Sequence, residues 1–458
     1  MKKVHKLWFE LLNILLIVLF WELALAQAPQ FRGFLQLDKR FNVGGDSLTT
    51  VDFYNRFRLE LSSTLSNKLY SFASLDFRFY DFPRVNSLQN MEDLDQEFPT
   101  DLTLWEAYVD LYSFLVNNLD VRVGKQRIAW GTADGLNHTD NLNPDDFSDL
   151  VNFTEKIPTW AVKGSYYLGN FTLTGVWLPE LAPMLLPRNG ASLFMGSGLS
   201  EYENNDVRFV SLRDTLILPS QKPQNSMFGL KLAGMVSGWD YSFSYFNGYD
   251  DIPILRQFGL AEVDKSGPIQ RFTARMEMTF PKMQVLGFDF ATELFGIGLW
   301  GEGAVFFPKK ALMLTVVETS EGNQTYSSVA LDDKPYLKYT LGFDYTFPGG
   351  WYLNSQWMHG FFTERGVDNL HDYFLSRLEK KFLRDEIKLV LGGVAIEVAE
   401  FSDLKNNYAS AFFPELSYLP VDNLEISLGV FLVDGKPGTL FGSWSEADQA
   451  YFRMKVSF

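Results

Sequence analysis

The sequence of 458 residues contains no cysteine and only four histidines. The absence of cysteine excludes a disulfide framework and any metal site built on thiolates. Beyond the first 26 residues, the chain has no apolar run near the ~20 residues that a membrane-spanning helix requires. Segments with the helical period of 3.6 residues are almost absent as well. The sequence therefore favours neither a helical membrane protein nor a helical soluble domain.

Aromatic residues are abundant instead. The chain has 42 Phe, 20 Tyr and 11 Trp, and its mean hydropathy is −0.07. Aromatic residues in alternating segments are typical of barrel strands that face lipid and carry aromatic girdles. The net charge of −16 disfavours nucleic-acid binding and suits long solvated loops.

The first residues follow the pattern of a secretory signal peptide. A basic start with three lysines precedes an apolar stretch from Leu7 to Leu19, and a small-residue site follows at Ala24 and Ala26. We predict that residues 1–26 are a cleaved signal peptide and that residues 27–458 form one domain. An N-terminal anchor helix is the alternative.

The last strand carries a second targeting signal. Phe452, Met454 and Val456 alternate with polar residues, and Phe458 ends the chain. A terminal amphipathic strand that closes on Phe resembles the signal read by the bacterial barrel-assembly machinery. We expect Phe452, Val456 and Phe458 to form this assembly signal. The expected location is the cell outer membrane of a Gram-negative-type bacterium, in contact with its lipid and lipopolysaccharide.

Alternation with a period of two runs through the rest of the chain. In one example, Phe57 and Leu59 take one face of a strand and Arg56 and Arg58 take the other. Tight turns alternate with long polar segments, as in bacterial barrels. We predict an all-β fold, a transmembrane antiparallel up-and-down β-barrel of about 18 strands, with 16–20 left open. The count requires residues 270–294 to form one long strand, broken at Pro281.

Charged residues at inward strand positions are the candidate pore lining. An Arg or Lys that faces lipid at the midplane costs about 2–4 kcal/mol, so the charged face should point to the lumen. The predicted set is Arg56, Arg58, Asp76, Arg78, Glu106, Asp110, Arg122, Lys125, Arg127, Asp289 and Glu302. Lys125 and Arg127 join it only if a bulge at Gly124 turns them inward. Such charges either select a polar solute or form a structural ladder of ion pairs, and the sequence leaves both open.

The segment GKQRIAWG at residues 124–131 precedes a loop rich in Asn, Asp and Pro. Here the chain resembles porin-like families that include the alginate-export channel. The resemblance implies an 18-stranded barrel with loops folded into the lumen and a basic pore for an anionic polymer. The basic wall would come from Arg56, Arg58, Arg78, Arg122, Lys125 and Arg127. The acidic remainder departs from that pattern, so the substrate is not carried over.

The loop at 132–157 is predicted to fold into the pore as a constriction. Its candidate residues are Asp134, Asn137, Asp140, Asp145 and Asp146. Their oxygens are ligands that Ca²⁺ takes, although the spacing does not match an EF-hand. A structural Ca²⁺ is therefore one hypothesis, beside the ordinary use of Asn and Asp in loops. We expect no other cofactor.

The predicted function is an outer-membrane porin or a solute-selective passive diffusion channel for ions and small polar solutes. Two alternatives stay open: a structural or partner-binding barrel with a closed lumen, and a polysaccharide export channel. The chain has three histidines after residue 26 and no G-x-S-x-G motif, so we expect no enzymatic activity.

Overall fold

The computed structural model describes residues 28–458 except 45–47, 52–53, 81, 83–84, 86, 93, 153, 187–206, 265–269, 320–321 and 446. The predicted signal peptide lies outside the described residues. In chain order the strands are β1 (Gln30–Asn42), β2 (Thr49–Val51), β3 (Asn55–Ser66), β4 (Leu69–Phe79), β5 (Thr100–Leu111), β6 (Leu119–Gln126), β7 (Thr159–Leu168), β8 (Phe171–Leu178), β9 (Val207–Ile217), β10 (Met227–Val236), β11 (Trp239–Tyr249), β12 (Ile254–Asp264), β13 (Gln270–Thr279), β14 (Lys282–Leu294), β15 (Ile297–Pro308), β16 (Ala311–Thr319), β17 (Gly322–Leu331), β18 (Tyr336–Thr346), β19 (Trp351–His359), β20 (Asp372–Phe382), β21 (Ile387–Val390), β22 (Val394–Val398), β23 (Tyr408–Phe412), β24 (Glu415–Val421), β25 (Leu424–Gly435) and β26 (Gln449–Ser457).

Most of these strands form one closed antiparallel barrel of 18 strands, which confirms the predicted fold class and strand number. Two positions in the barrel are each filled by two segments, β21 with β22 and β23 with β24, and β2 extends the pairing of β3 along β1. The barrel closes where β26 pairs with β1, with Leu35 opposite Val456. The amide of Phe458 donates to the carbonyl oxygen of Gly33 at 3.0 Å, so the last residue belongs to the closing seam.

The long connections at one end of the barrel build a second sheet. Its strand order is β17-β16-β12-β13-β9. The prediction that 270–294 is one long strand is therefore corrected: β13 lies in the second sheet and only β14 lies in the barrel. The polar segments 182–225, 250–268 and 309–334, predicted as loops, contain strands of this sheet. Their backbone groups pair with one another because neighbouring hairpins stand side by side beyond the barrel wall.

The two faces of the barrel wall follow the alternation of the sequence. On β11 and β14, Phe243 and Phe288 lie opposite each other on the outer face, 55% and 40% exposed, with ring centroids 5.0 Å apart. The next pair along, Ser242 and Asp289, points inward and is buried. Apolar side chains therefore cover the outside of the wall while polar ones line its inside.

In the part of the chain that the structure describes, helical structure is limited to short turns. They are the α-helical turn Leu94–Glu97 and the 3₁₀ turns Gln89–Glu92, Pro223–Asn225, Val367–Asn369, Phe401–Asp403 and Phe441–Trp444. Within the described ranges, none of these helices has the length and apolar character needed to cross a membrane.

Candidate pore and its inner loop

The inner wall formed by β3 and β4 carries a cluster of arginines around one carboxylate. Arg58 and Asp76 are direct partners in the register of these strands. Asp76 is buried and receives Arg56 at 2.6 Å and Arg58 at 3.4 Å. Arg78 approaches the same carboxylate at 3.6 Å. Hydrogen bonds between ionised groups are strong, and moving one side chain away would leave a buried charge without a partner. The side chains of this cluster are therefore held in fixed positions.

The connection between β6 and β7, residues 127–158, is named the inner loop below, and it completes this cluster. Glu155 accepts from Arg56 at 2.9 Å and from Arg58 at 3.3 Å. Asp146 accepts from Arg78 at 3.2 Å. The three arginines therefore face the three carboxylates of Asp76, Asp146 and Glu155 (a balance of charge, not a basic wall), and the pairs hold the loop to this side of the barrel.

A tryptophan adds an aromatic platform to the arginine cluster. Trp105 is 7% exposed, and the guanidinium groups of Arg58 and Arg56 lie 4.8 and 5.3 Å from its ring centroid. A register shift opposite Ser74 and Leu75 leaves Trp105 without a partner in the β4–β5 ladder. Sequence analysis missed this residue, because strict alternation does not show a bulge.

A second charged pair lies further along the same wall. Arg122 on β6 binds Asp110 on β5 through two contacts of 2.6 and 2.8 Å. The same guanidinium lies 3.9 Å from the ring centroid of Tyr108. Glu106 accepts the backbone amide of Arg127 at 2.8 Å, where the inner loop begins.

The placement of Lys125 differs from the prediction. In the register of β6 with β7, Lys125 pairs with Trp160, which is 50% exposed, and Gln126 is fully buried beneath the inner loop. Partners in an antiparallel ladder share a face, so Lys125 lies on the outer side of the wall. Gly124 has the expected unusual backbone, with φ of +137°, but it does not turn Lys125 inward. Arg127 is exposed just beyond the strand end.

On the opposite wall, Glu302 of β15 anchors the start of the inner loop. This carboxylate is 3% exposed and accepts the backbone amides of Thr132 at 3.0 Å and of His138. The side-chain amide of Asn137 donates to it at 3.4 Å. The carboxylate of Glu302 therefore binds the start of the loop and is not a free charge on the pore wall.

Strand β19 holds the loop at a further point. The backbone amide of Asp134 donates to Gln356 at 3.0 Å, and the side chain of Gln356 donates back to the carbonyl oxygen of Asp134 at 2.9 Å. Asn354 donates to the Asp134 carboxylate at 3.1 Å. On β14, directly opposite Glu302 in the ladder, Asp289 is buried, accepts from Ser242 and lies 3.5 Å from Lys231. The predicted wall residue Asp289 is thus also paired.

The middle of the inner loop is held by its own ion pair. Lys156 binds the Asp145 carboxylate at 2.8 Å and the carbonyl oxygen of Asp140 at 3.2 Å. The amide of Asp145 donates to Asp251, which follows β11, at 3.0 Å. Asp145 and Asp146 therefore bind cationic side chains, which compete with the predicted Ca²⁺ for the same oxygens.

Apolar side chains pack between the inner loop and the walls in two clusters. The first contains Trp130 and Leu142 of the loop with Phe246, Val285 and Phe306 of the wall. The second contains Leu136, Phe147 and Leu150 of the loop with residues of β19–β25, and Phe441 and Trp444 from the connection to β26. Buried apolar side chains thus fix the loop against both walls of the barrel. The period-two alternation of the sequence does not predict this packing, because the packing joins residues that are distant in the sequence.

Another cluster joins strand β22 to the connections that precede β20 and β26. His371 Nδ1 lies 2.7 Å from Glu397 and 3.5 Å from Glu364. Glu397 also accepts the amides of Leu440 at 2.7 Å and Phe441 at 2.8 Å. Among the described residues, these three side chains are the one group of at least three with the spacing of metal ligands. Their carboxylates already serve backbone amides, which favours a structural lock.

Comparison with solved structures finds several bacterial outer-membrane barrels. Pseudomonas aeruginosa OccK11 (OpdR) is 8% identical, with a TM-score of 0.49 over 94% of this chain and 96% of that chain. Pseudomonas aeruginosa OccK8 (OprE) is 10% identical, with a TM-score of 0.48 over 94% and 97%. Salmonella typhi OmpF, in a complex with daunomycin, is 10% identical, with a TM-score of 0.40 over 94% and 97%. No curated protein matches the sequence.

The sequence model of one protein family matches residues 52–377, which include the GKQRIAWG motif and the whole inner loop. This match does not support the relation to the alginate-export channel that the motif suggested. The match covers well over half of the 458 residues. The chain belongs to the family described as "Protein of unknown function (DUF1302)".

Proposed function

We propose that this protein is an outer-membrane channel for the passive diffusion of small polar solutes, with the inner loop as its constriction. The observation that carries the proposal is the attachment of that loop to both sides of the barrel. It is bound to β3 and β4 through Glu155 and Asp146, and to β15 and β19 through Thr132 and Asp134. A segment fixed across a lumen narrows it and sets the size of solute that passes.

The membrane location rests on three independent features. They are the signal-peptide pattern of residues 1–26, the terminal strand that closes on Phe458, and the apolar outer face of the wall. An apolar surface of this extent on a closed barrel requires lipid around it, because water does not solvate it favourably.

The charges of the arginine cluster favour small solutes over an anionic polymer. Arg56, Arg58 and Arg78 are each within 3.6 Å of a carboxylate, so they do not form a basic path. A polyanion would have to displace these buried pairs, at a cost of several kcal/mol for each charge left alone. Polysaccharide export is therefore not part of the proposal.

A closed, partner-binding barrel is the second candidate function. Two observations favour it: the apolar clusters around Trp130 and Phe147, and the five-stranded sheet that stands beyond the barrel wall. Apolar packing inside the barrel would hinder the passage of solutes, and a structured surface beyond the wall suits the recognition of a partner. Conductance separates the two functions.

The test is single-channel conductance of the refolded residues 27–458 in planar bilayers, with folding checked by heat-modifiable electrophoretic mobility. We expect small ohmic steps, and liposome swelling with pentoses but not with trisaccharides. Replacing residues 133–154 with a Gly-Ser linker should enlarge the steps several-fold, because it removes the anchors at Asp134 and Asp146 and the apolar side chains packed in the lumen.

The matched control replaces residues 312–330, the hairpin of β16 and β17, with a linker of equal design. This hairpin lies in the second sheet, so the conductance should stay unchanged. A folded barrel that stays silent in both the native and the loop-replaced forms would overturn the channel and support the closed, partner-binding function.

A further inference from the structure

Two buried acceptor atoms of the inner loop have no hydrogen-bond partner among the described residues. They are Nε2 of His138 and Oδ1 of Asp140, whose residues are 4% and 7% exposed. A polar atom that is buried without a partner destabilises the fold, so two such atoms in one loop indicate that a further polar group binds to them.

Both residues line the same cavity. Its volume is about 50 Å³, and it lies between the inner loop and the wall, where Tyr249, Met283 and Phe306 contribute. Roughly 10–15 Å³ of such space holds one water, so this cavity takes a group of a few heavy atoms. A sugar or an aromatic ring does not fit.

The imidazole of His138 lines this cavity, and its Nε2 has no hydrogen-bond partner among the described residues. Burial and the charge of Lys338 hold the pKa of His138 well below its usual range, so the ring is neutral. A neutral imidazole has one donor nitrogen and one acceptor nitrogen, and Nε2 has no partner for either role among the described residues.

The charges around the cavity leave one negative charge in excess. The acidic lining residues are Asp140, Asp145, Asp250 and Asp251, and the basic ones are Lys156, Lys338 and Arg365. Lys156 pairs with Asp145, and Arg365 pairs with Asp250 through both carboxylate oxygens. Lys338 donates to the carbonyl oxygen of Phe361 at 2.6 Å, which leaves two acids against this one lysine.

Asp140 and Asp251 are the two acids left without an ion pair of their own, and their surroundings disfavour the charged form of each carboxyl group. Burial raises the pKa of Asp140 to about 6. Burial and the repulsion of Asp145 and Asp250 raise the pKa of Asp251 to about 7. A cation placed among them would lower their free energy.

We propose that this cavity binds the head group of a small protonated amine, which donates to His138 Nε2 and Asp140 Oδ1. An ammonium group supplies several donors and the one positive charge that the lining lacks. A metal ion fits less well, since the one group of three His, Asp or Glu side chains with metal-ligand spacing in the described part of the chain is Glu364, His371 and Glu397, none of which lines this cavity. The inference deepens the proposed function, on which it depends for the route by which the solute enters.

The experiment is a titration of the refolded chain, labelled with ¹⁵N-histidine, with methylammonium chloride at constant ionic strength. The His138 Nε2 resonance is assigned by its loss in His138→Gln. We expect it to shift and saturate with methylammonium, because donation to the lone pair changes its shielding. Tetramethylammonium, which has no N–H donor, should leave it unchanged, and this comparison needs no variant.

The variant Asp140→Asn should weaken methylammonium binding by about tenfold or more, since it removes a charged acceptor. Asp422→Asn, at an exposed turn, is the matched control and should bind as the native chain does. Conductance is measured on the same preparations. A conducting barrel whose His138 resonance ignores methylammonium, or follows both amines equally, overturns this site and leaves the channel standing. A silent barrel with a saturating response overturns the channel and keeps the site.

Discussion

Arg40 on the first strand and Asp149 on the inner loop form a bidentate ion pair, with Nη1–Oδ1 and Nη2–Oδ2 distances of 2.6 and 2.7 Å. Arg40 is fully buried and also binds Asp38 at 2.9 Å, and Asp38 in turn receives Arg453 from the last strand. The contact therefore joins the loop to the seam where the barrel closes. It shows that barrel closure and loop placement depend on the same charged network.

The variant Asp149→Asn should loosen the inner loop. Removing one partner of a buried charge typically lowers the free energy of unfolding by about 3–5 kcal/mol. Arg40 keeps Asp38 as a second partner, so we expect a loss near the lower end of this range. The readout is the rate of limited proteolysis within residues 127–158 of the folded protein. Asp422→Asn, at an exposed turn, should not change the rate. Equal rates for both variants would mean that the pair does not hold the loop.

Glu302→Gln should destabilise the same loop at its other anchor. The neutral amide replaces a carboxylate that accepts the amides of Thr132 and His138, and a hydrogen bond to a charged group contributes about 1.5–3 kcal/mol. We expect noisier and larger current steps in planar bilayers. The exposed Glu293, near the end of β14, provides the control Glu293→Gln, which should conduct like the native chain. Unchanged current noise in Glu302→Gln would argue against the loop as the constriction.

Arg56→Gln should make the channel more selective for cations. The change removes one of three positive charges that face Asp76, Glu155 and Asp146, so the cluster acquires a net negative charge. The reversal potential under a salt gradient measures this, and it should shift towards the cation equilibrium potential. Lys405→Gln, in an exposed connection, serves as the comparison. If both variants shift equally, the cluster does not face the permeating ions.

The contact between residues 361–371 and 440–441 should weaken as the pH rises. Burial lowers the pKa of His371. Its hydrogen bond to Glu397 and the charge of Glu364 raise this pKa by more than burial lowers it, so the net shift is upward. A raised folded-state pKa means that the stabilisation is complete below the unfolded value of about 6.5 and is lost as pH rises through the folded value.

Hydrogen exchange of residues 436–445 between about pH 5 and pH 8, corrected for intrinsic rates, measures this loss. The variant His371→Gln should remove the pH dependence, whereas His359→Gln should retain it. Persistence of the full pH dependence in His371→Gln would assign it to another group.

Deletion of Phe458 should reduce assembly in cells by several-fold. Phe458 is 54% exposed on the outer face, lies 6.1 Å from the ring of Phe57 and exchanges two backbone hydrogen bonds with Gly33. The amount of heat-modifiable barrel in outer-membrane fractions is the measure. Phe307→Ala, which alters another exposed outer-face ring, is the control. Normal assembly without Phe458 would contradict its role as an assembly signal.

The sequence by itself determined the all-β barrel and predicted about 18 strands, although its count treated residues 270–294 as one barrel strand. Period-two alternation is a local property: a side chain on a strand takes one of two faces, and lipid on one side leaves little choice. For this reason Arg56, Asp76, Arg122 and Asp289 were placed on the inner wall from pattern alone. Lys125 was misplaced because the prediction assumed a bulge at Gly124, whereas the ladders of β6 with β5 and β7 pass through Gly124 without a register shift.

Only the tertiary structure decided how those inward charges are used. The partners of Arg40, Arg56 and Glu302 lie about 100 residues or more away along the chain, on a loop whose path no local pattern specifies. The second sheet likewise arises from hairpins that meet only because the barrel places their strands side by side. Alternation fixes a face for each residue, but ion pairs, apolar packing and the cavity at His138 and Asp140 depend on which distant segments share the lumen.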